Sequence, residues 1–385
     1  MKLYQFIVFL SVVLSVLFLV NLYIYFRGMH AIPKTTVYQS WYTILLIFFF
    51  LSYIIARFLD RLYPSFLSDL FTWIGSFWLG AMAYLFLLFL LADVILLINK
   101  LIPFIPHLGF SGTPQFRMYV AYVVPVITAL LLIIGYINAK TPRLHELNIS
   151  IPKHSENLKS LKMVVVTDVH LGTLIGRRNA ERLVNMINKQ KPDIIVFGGN
   201  LIDEDIQSVI RHNIGEKLLE LRAKYGVYAV SGNHEYIGGI ARSLPYMESH
   251  GIKLLHDTAI KIENSFYLIG RDDRDKVRFT GIPRKPLDEI IAPADKTIPL
   301  ILFDHQPIKL KDAISNNIDL QISGHTHDGQ LFPFNLIANA IFDISRGYKK
   351  IGNTQFYVSN GYGTWGPPMR IGNRPEMVVF NLRFE

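Results

Sequence analysis

Four long apolar stretches without a charged side chain lie in the first part of the chain. A helix that crosses a bilayer needs about 20 consecutive apolar residues, and buried helices of water-soluble proteins rarely have apolar runs of that length. The stretches that contain no Asp, Glu, Lys or Arg cover residues 3–26, 37–56, 70–92 and 118–139. We therefore expect residues 1–140 to form a domain of four transmembrane helices in a multi-pass integral membrane protein.

The first stretch has an alternative interpretation as a cleaved signal peptide. A signal peptide has a short apolar core, which is followed by small residues at a cleavage site. The stretch at 3–26 is longer than such a core and is followed by Arg27, Gly28 and Met29. This pattern favours a spanning helix.

Basic residues near the span ends predict how the chain is oriented. Because four spans return the chain to the side on which it started, both ends of this domain share one side of the membrane. Cytoplasmic loops carry an excess of Lys and Arg. The shared side has Lys2, Arg57, Arg61, Lys140, Arg143 and Lys153, and the opposite side has Arg27, Lys34, Lys100 and Arg117. We therefore expect the C-terminal domain on the cytoplasmic side of the inner membrane.

Charged residues are concentrated in the second part of the chain. The chain has 39 basic and 30 acidic residues, and 31 of the basic and 27 of the acidic residues follow residue 140. This small positive excess forms no long basic stripe, which argues against a nucleic-acid partner. The chain has no cysteine, so a disulfide scaffold and a cysteine-ligated zinc site are excluded. The high apolar content excludes a disordered chain.

Short apolar runs alternate with helical patterns after residue 141, which predicts an α/β domain with a buried sheet. Polar motifs follow five of these runs, at 161–166, 194–197, 227–230, 300–303 and 320–322. The motifs are Asp168-Val169-His170, Gly198-Gly199-Asn200, Gly232-Asn233-His234-Glu235, Asp304-His305 and Gly324-His325-Thr326-His327. One such motif alone is more typical of a turn. Because ligands bind at the carboxyl ends of the strands in open α/β sheets, five motifs indicate one functional site.

The motifs supply oxygen and imidazole donors without a thiolate, a set that suits manganese, iron, zinc or magnesium. A pair of metal ions about 3.5–4 Å apart serves many phosphatases and nucleases, and we expect such a pair to need about seven ligands. The candidate ligands are Asp168, His170, Asn200, Asn233, His305, His325 and His327. His234 is left over, and it is free to act as a proton donor or to bind phosphate.

The order of the motifs resembles that of the calcineurin-like metallophosphoesterases. The C-terminal segments 359–363 and 368–376 are similar to a membrane-associated bacterial branch, which includes UDP-2,3-diacylglucosamine hydrolases and transmembrane proteins with a metallophosphoesterase domain. The resemblance implies an α/β sandwich at residues 150–385, preceded by the all-α transmembrane region. It also implies two divalent metal ions, manganese foremost, and hydrolysis of a phosphate ester or pyrophosphate.

The resemblance implies roles for two further residues. His234 would stabilise the transition state or protonate the leaving oxygen. Arg370 would lie near the site and pair with a substrate phosphate. The alternative for Arg370 is an ion pair at the protein surface.

Asn200 departs from the family pattern, which has an aspartate that bridges the two metal ions at this position. An amide is neutral and offers one donor oxygen, so it bridges cations poorly. Asp203 and Asp205 are close in sequence, but neither is expected to replace the missing carboxylate without a shift of the loop. We therefore expect an inactivated chain. The intact remainder of the pattern favours a deliberately altered variant over a natural pseudoenzyme.

An apolar run at residues 331–342 follows the last motif and leads into Arg346, Lys349 and Lys350. The run is either a buried core segment or an interfacial element beside the site, with basic residues that face anionic headgroups. The second interpretation predicts a pocket that opens toward the lipid bilayer and a lipid-linked phosphate substrate. Two alternatives remain, namely a non-catalytic membrane receptor or scaffold and a phosphodiesterase for soluble nucleotides.

Overall fold

Two compact units make up the computed structural model, which describes residues 3–32, 36–102 and 114–385. The first unit comprises Met1–Tyr136 and Gly366–Pro368, and the second comprises Ile137–Trp365 and Met369–Glu385. The second unit therefore begins a few residues before residue 140, in the last turn of a helix. Lys2 and Lys34, which enter the prediction of orientation, lie outside the described residues.

Four long helices form the first unit: α1 (Leu3–Met29), α2 (Val37–Leu62), α3 (Phe66–Leu101) and α4 (Pro114–Ala139). All four are long and apolar enough to cross a membrane. The described part of this unit has only a small buried cluster, formed by Ile24, Leu46, Met82, Leu85, Phe89 and Val124. Most other large apolar side chains of these helices face outward, as expected for helices whose solvent is lipid.

Two six-stranded sheets form the centre of the second unit. In chain order the strands are β1 (Arg143–Ile151), β2 (Ser160–Val166), β3 (Ile194–Gly198), β4 (Val227–Val230), β5 (Lys253–Leu254), β6 (Thr258–Ile262), β7 (Phe266–Gly270), β8 (Leu300–Phe303), β9 (Leu320–Ser323), β10 (Gly347–Ile351), β11 (Thr354–Val358) and β12 (Glu376–Phe384). One sheet has the order β1-β12-β2-β3-β4-β5, and the other has the order β10-β11-β9-β8-β7-β6. Neighbours pair in parallel except at β12–β2, β6–β7 and β10–β11.

Shorter helices cover the sheets: α5 (Arg177–Lys189), α6 (Ile206–Arg211), α7 (Asn233–Ile237), α8 (Ile240–Ser249), α9 (Lys276–Thr280), α10 (Leu287–Ile291), α11 (Lys311–Ser315) and α12 (Phe334–Ile341). One apolar core fills the space between the two sheets, and two further cores lie on their outer faces. In the outer core of the first sheet, Leu183 and Ile187 of α5 pack with Val164 and Phe197 of the strands. This layered arrangement confirms the α/β sandwich that the sequence predicts.

The sheet topology explains why the polar motifs meet. Strands β2, β3 and β4 are parallel neighbours in one sheet, and β8 and β9 are parallel neighbours in the other. The carboxyl ends of these strands therefore lie next to one another within each sheet. The turns that follow these five strands carry every candidate metal ligand.

Candidate metal centre

An unusual backbone conformation marks the turns that carry the candidate ligands. Five of these residues have a positive φ although none is glycine: Asp168 (52°), His170 (53°), Asn200 (54°), His325 (71°) and His327 (48°). Non-glycine residues rarely adopt this region because it costs free energy, and such residues concentrate at functional sites. The fold holds these five side chains in place at a cost in conformational energy.

The first cluster of donors consists of Asp168, His170 and His327, all of them buried. Nε2 of His170 lies 3.2 Å from Nε2 of His327. Oδ1 of Asp168 lies 3.5 Å from Nε2 of His327 and 3.9 Å from Nε2 of His170. One carboxylate and two imidazoles this close together suit a divalent cation.

The second cluster adjoins the first through Asp168 and Asn200. Nδ1 of His325 lies 3.2 Å from Oδ1 of Asn233, and Nε2 of His305 lies 3.6 Å from Oδ1 of Asp168. The amide nitrogen of Asn200 lies 3.1 Å from Oδ1 of both Asp168 and Asn233. The structure thus brings all seven predicted ligands together.

The surroundings of His305 show that these residues fit a metal ion. Its Nδ1 lies 2.8 Å from the carbonyl oxygen of Gly198, so this nitrogen carries the proton and donates it. Its Nε2 is therefore a lone-pair donor, and it is fully buried without a hydrogen-bond partner among the residues that the structure describes. Gly199 has a φ of 96°, and a side chain at this position would collide with the imidazole ring. An unpartnered nitrogen in a site shaped around it fits a ligand to a cation.

Asp203 is part of the site, a role that was not predicted from the sequence. Its Oδ1 lies 3.0 Å from Nδ1 of His234 and 3.4 Å from Nδ1 of His170. Both imidazoles can donate to this carboxylate, which directs their Nε2 atoms away from it. The signal for this role was an acidic residue three positions after Asn200, in the segment that follows β3.

Glu235 fixes the loops that carry the ligands, a role that the sequence analysis also missed. Its carboxylate is buried and accepts hydrogen bonds from the backbone N–H groups of Gly232 (2.7 Å), Asn200 (3.0 Å) and Ile202 (3.0 Å). Backbone donors from two loops therefore converge on one side chain. The Glu that ends the Gly-Asn-His-Glu motif joins the turns after β3 and β4.

Burial and close contacts set the ionisation of the donors. Burial lowers the pKa of His325 to about 3 and that of His327 well below its usual value. For Asp168, burial acts to raise the pKa, but three neighbouring imidazoles and the backbone N–H of His325 hold it well below its usual range. At neutral pH the site therefore holds the carboxylate of Asp168 beside the neutral rings of His325 and His327, and metal ions bind these groups in those states.

Arg370 lies beside the candidate ligands, and its burial excludes the ion pair at the protein surface, whereas its pairing with a substrate phosphate stays a prediction. Its guanidinium is fully buried, and its nitrogens donate to the carbonyl oxygens of Gly361 (3.3 Å) and Gly363 (2.6 Å) and to Oδ1 of Asn373 (3.1 Å). Its Nη2 also lies 3.0 Å from Nδ1 of His327. Burial lowers its pKa to about 10, so it remains cationic at neutral pH. Arg370 therefore fixes the His327 ring through Nδ1, on the side of the ring opposite the Nε2 atom that faces the cluster.

Asn200 occupies the centre of the ligand set with all its polar atoms engaged. Its amide N–H groups donate to Oδ1 of Asp168 in the first cluster and to Oδ1 of Asn233 in the second cluster. Its own Oδ1 accepts a hydrogen bond from the backbone N–H of His234 at 3.0 Å. An amide in this orientation presents hydrogens, and not a lone pair, to the space between the two clusters.

An exposed apolar surface lies beside the donors. In the run 331–342 only Leu331 and Ala338 are buried, whereas four large side chains around α12 are at least half exposed: Phe332, Leu336, Ile337 and Ile341. The ring of Phe342 lies 6.2 Å from that of His325, and the half-exposed ring of Trp365 lies 5.8 Å from that of His234. The run is therefore an amphipathic surface element and not a core segment. We use the name apolar rim for the side chains of Phe332, Leu336, Ile337, Ile341, Phe342 and Trp365.

Comparison with known proteins agrees with the motifs. A family model for the calcineurin-like phosphoesterases matches residues 161–329. A Danio rerio protein named transmembrane protein with metallophosphoesterase domain is 32% identical over 98% of this chain and 89% of its own length. An uncharacterized metallophosphoesterase of Campylobacter jejuni is 30% identical over 98% of this chain and 99% of its own length. The resemblance inferred from the sequence is thereby confirmed, and the chain belongs to the calcineurin-like metallophosphoesterases.

Proposed function

We propose that this chain is a membrane-anchored, metal-dependent phosphoesterase whose substrate is a lipid-linked phosphate ester or pyrophosphate. The observation that carries this proposal is the apolar rim next to the candidate ligands. Exposed apolar patches in folded proteins commonly mark binding surfaces. A substrate with a phosphate head and an apolar tail matches a polar centre with an apolar rim.

Two divalent cations would be held by the seven predicted ligands. The first cation would bind to Asp168, His170 and His327. The second cation would bind to Asn233, His305 and His325, and residue 200 would lie between the two groups of ligands. Manganese is the preferred candidate for this donor set, and iron, zinc and magnesium are further candidates. When bound, such a pair of cations activates water at neutral pH and polarises phosphoryl oxygens.

His234 is the residue that would hold a proton for the leaving oxygen. Burial acts to lower its pKa, but the hydrogen bond to Asp203 and the charge of that carboxylate raise it above the usual value. His234 therefore remains protonated to a higher pH than a free imidazole. Asp203 holds the ring by Nδ1, which leaves the proton on Nε2 for transfer.

A non-catalytic receptor or scaffold is the second candidate, and the position of Asn200 is the observation that favours it. The amide N–H groups of Asn200 donate to Oδ1 of Asp168 and Oδ1 of Asn233, two of the oxygens predicted to bind the cations. On this proposal the ligand set is preserved, but the chain hydrolyses its ligand slowly or not at all. Both candidates share the membrane anchor and the apolar rim.

The four apolar helices and the transmembrane names of the relatives suggest a membrane protein. We propose that these helices anchor the catalytic unit at the cytoplasmic face of the inner membrane, as the distribution of basic residues predicts. This position would place the apolar rim close to the lipid that carries the substrate.

The test compares substrates that differ only in the presence of an apolar tail. The full chain with Asn200→Asp, purified in detergent and supplied with manganese, is assayed on a long-chain alkyl pyrophosphate, on phosphatidic acid and on soluble nucleotide diesters. The proposal predicts a kcat/KM at least tenfold higher for a lipid-linked substrate than for the nucleotides. Faster hydrolysis of the nucleotides would contradict the lipid-linked part.

Substitution of the apolar rim separates its role from that of the metal centre. Leu336→Asn with Ile337→Asn should raise KM for the lipid-linked substrate about tenfold without a change for a short soluble phosphoester. Leu219→Asn is the matched control, because Leu219 is a similarly exposed leucine outside the rim. An equal loss for both substrates would contradict a role of the rim in binding the tail.

A further inference from the structure

A cavity of about 840 Å³ lies in the second unit, apart from the metal centre. It is bounded by β1 and β10, each of which is one edge strand of its sheet, and by the segment that leads into β12. None of the predicted metal ligands lines it. Its volume is within the range of cavities that bind small organic molecules, about 300–1,000 Å³.

Three arginines line this cavity: Arg143 at the start of β1, Arg346 before β10 and Arg374 before β12. Arg346 pairs with Asp328 at 2.9 Å. For Arg143 and Arg374, no ion pair or side-chain hydrogen bond is found within the described ranges 3–32, 36–102 and 114–385. Two guanidinium groups without an acidic partner therefore face a common space.

The wall also carries two carboxylates, which are fewer than its three guanidinium groups. Glu376 is buried, and its carboxylate already accepts hydrogen bonds from the Tyr357 hydroxyl and the Asn360 backbone N–H, each at 3.0 Å. Glu146 also belongs to the wall, but it alternates with Arg143 along β1 and so projects from the opposite face of the strand. The guanidinium groups of Arg143 and Arg374 are therefore available to bind an anion.

The cavity includes a residue from the end of the last candidate span. Asn138, in the final turn of α4, lines the cavity, and the candidate span itself ends at Ala139. Its side-chain amide donates to the carbonyl oxygens of Arg370 (2.9 Å) and Asn373 (2.7 Å), which fixes this turn against the cavity wall. The guanidinium groups of Arg143 and Arg374 are therefore close to the point at which the chain leaves the predicted membrane span.

We propose that this cavity binds a phosphate-bearing anion through Arg143 and Arg374. Two unpaired guanidinium groups favour phosphate oxygens, because the planar donors can engage two oxygens at once. The phosphate can come from the headgroup of an anionic phospholipid or from a free phosphate in solution. This second site is independent of the proposed hydrolysis, since it shares no residue with the metal centre.

The test measures binding of short-chain lipids to the full chain in detergent. EDTA is present throughout, so that no metal ion binds phosphate at the other centre. The probes are dihexanoyl phosphatidic acid, dihexanoyl phosphatidylcholine and inorganic phosphate. We expect saturable binding of phosphatidic acid that weakens at least tenfold in Arg143→Gln with Arg374→Gln. Tighter binding of the lipid than of inorganic phosphate assigns the site to a headgroup, and the reverse assigns it to free phosphate.

A matched control distinguishes the cavity from general positive charge. Lys349→Gln with Lys350→Gln removes two exposed basic residues of β10 that do not line the cavity, and we expect binding within twofold of the unaltered chain. An equal loss in both double variants would overturn the proposal. The proposal would also be overturned if neither phosphatidic acid nor inorganic phosphate binds, or if binding is unchanged in the arginine variant. Both arginines are exposed, so unaltered melting of the double variant is expected to show that it folds.

Discussion

Glu235 is the residue on which the backbone of the metal centre most directly depends. Its carboxylate accepts three backbone N–H groups from the turns after β3 and β4. In Glu235→Gln one acceptor oxygen becomes an amide nitrogen that faces these donors. We expect the free energy of unfolding to fall by about 2–4 kcal/mol, because buried charge-assisted hydrogen bonds are lost and donors are left unpaired.

Thermal unfolding of the detergent-solubilised chain measures this effect. Glu248→Gln is the matched control, because Glu248 is an exposed glutamate of α8. We expect a change of less than about 0.5 kcal/mol for the control. Equal melting of Glu235→Gln and the unaltered chain would refute the role given to Glu235.

Asp272 gives the second unit a predictable response to acid. Its Oδ1 lies 2.7 Å from Nδ1 of His256, and its Oδ2 lies 2.7 Å from Nζ of Lys276. Burial acts to raise the pKa, but the two basic partners lower it to about 2. Because the folded pKa lies below the unfolded value of about 3.9, the carboxylate stabilises the fold above pH 4 and loses this effect as the pH falls toward 2.

The variant Asp272→Asn should therefore be destabilised by about 2 kcal/mol at pH 7. The difference from the unaltered chain should shrink between pH 4 and pH 2. Unfolding curves recorded across this pH range measure both effects. A difference that stays constant down to pH 2 would show that the charge of Asp272 contributes nothing.

The residues that could be predicted from the sequence are those that follow a strand in a short motif. His305 and His327 were found in this way, because a strand end fixes where the next few side chains lie. Asp203 and Glu235 were missed as partners, since their contacts depend on the path of two separate loops. The burial of Arg370 was not predicted, because fully buried arginines are rare and an arginine in a sequence is expected to be exposed.

Among the elements, long apolar helices and buried central strands were predicted, and edge strands were not. β1 and β10 carry charged residues at several positions and have mostly exposed side chains. Such strands lack the apolar run that identifies a buried strand, and only pairing with β12 and β11 reveals them. The sequence-based domain starting at residue 150 therefore left out most of β1.

The last turn of α4 is an element whose attachment can be tested. Asn138 donates two hydrogen bonds to the carbonyl oxygens of Arg370 and Asn373. Asn138→Ala leaves both oxygens without this donor, and we expect the free energy of unfolding to fall by about 1–3 kcal/mol. The measurement is thermal unfolding, with Asn185→Ala on the exposed face of α5 as the control. A loss of equal size in both variants would contradict a specific contribution of Asn138.

At the scale of the whole molecule, the absence of cysteine allows the orientation to be tested. A single cysteine at Lys349 reports on the second unit, and one at Val37 reports on the start of α2. With four spans and a cytoplasmic second unit, a membrane-impermeant maleimide should label Val37→Cys in intact cells. It should label Lys349→Cys only after the membrane is disrupted. The opposite pattern would reverse the proposed orientation.

The metal content of the chain with and without Asn200→Asp tests the central claim most directly. A carboxylate at residue 200 supplies a lone pair and a negative charge between the two clusters, whereas the amide supplies N–H groups to Asp168 and Asn233. The second cation should be lost first in the present chain, because Asn233, His305 and His325 are all neutral ligands. The measurement is manganese per chain by mass spectrometry, paired with hydrolysis of one phosphoester. We predict two manganese ions and at least tenfold faster hydrolysis for Asn200→Asp, and one ion or fewer for the present chain. Two ions and equal hydrolysis in both chains would contradict the role assigned to residue 200, and no metal in either chain would contradict the metal centre itself.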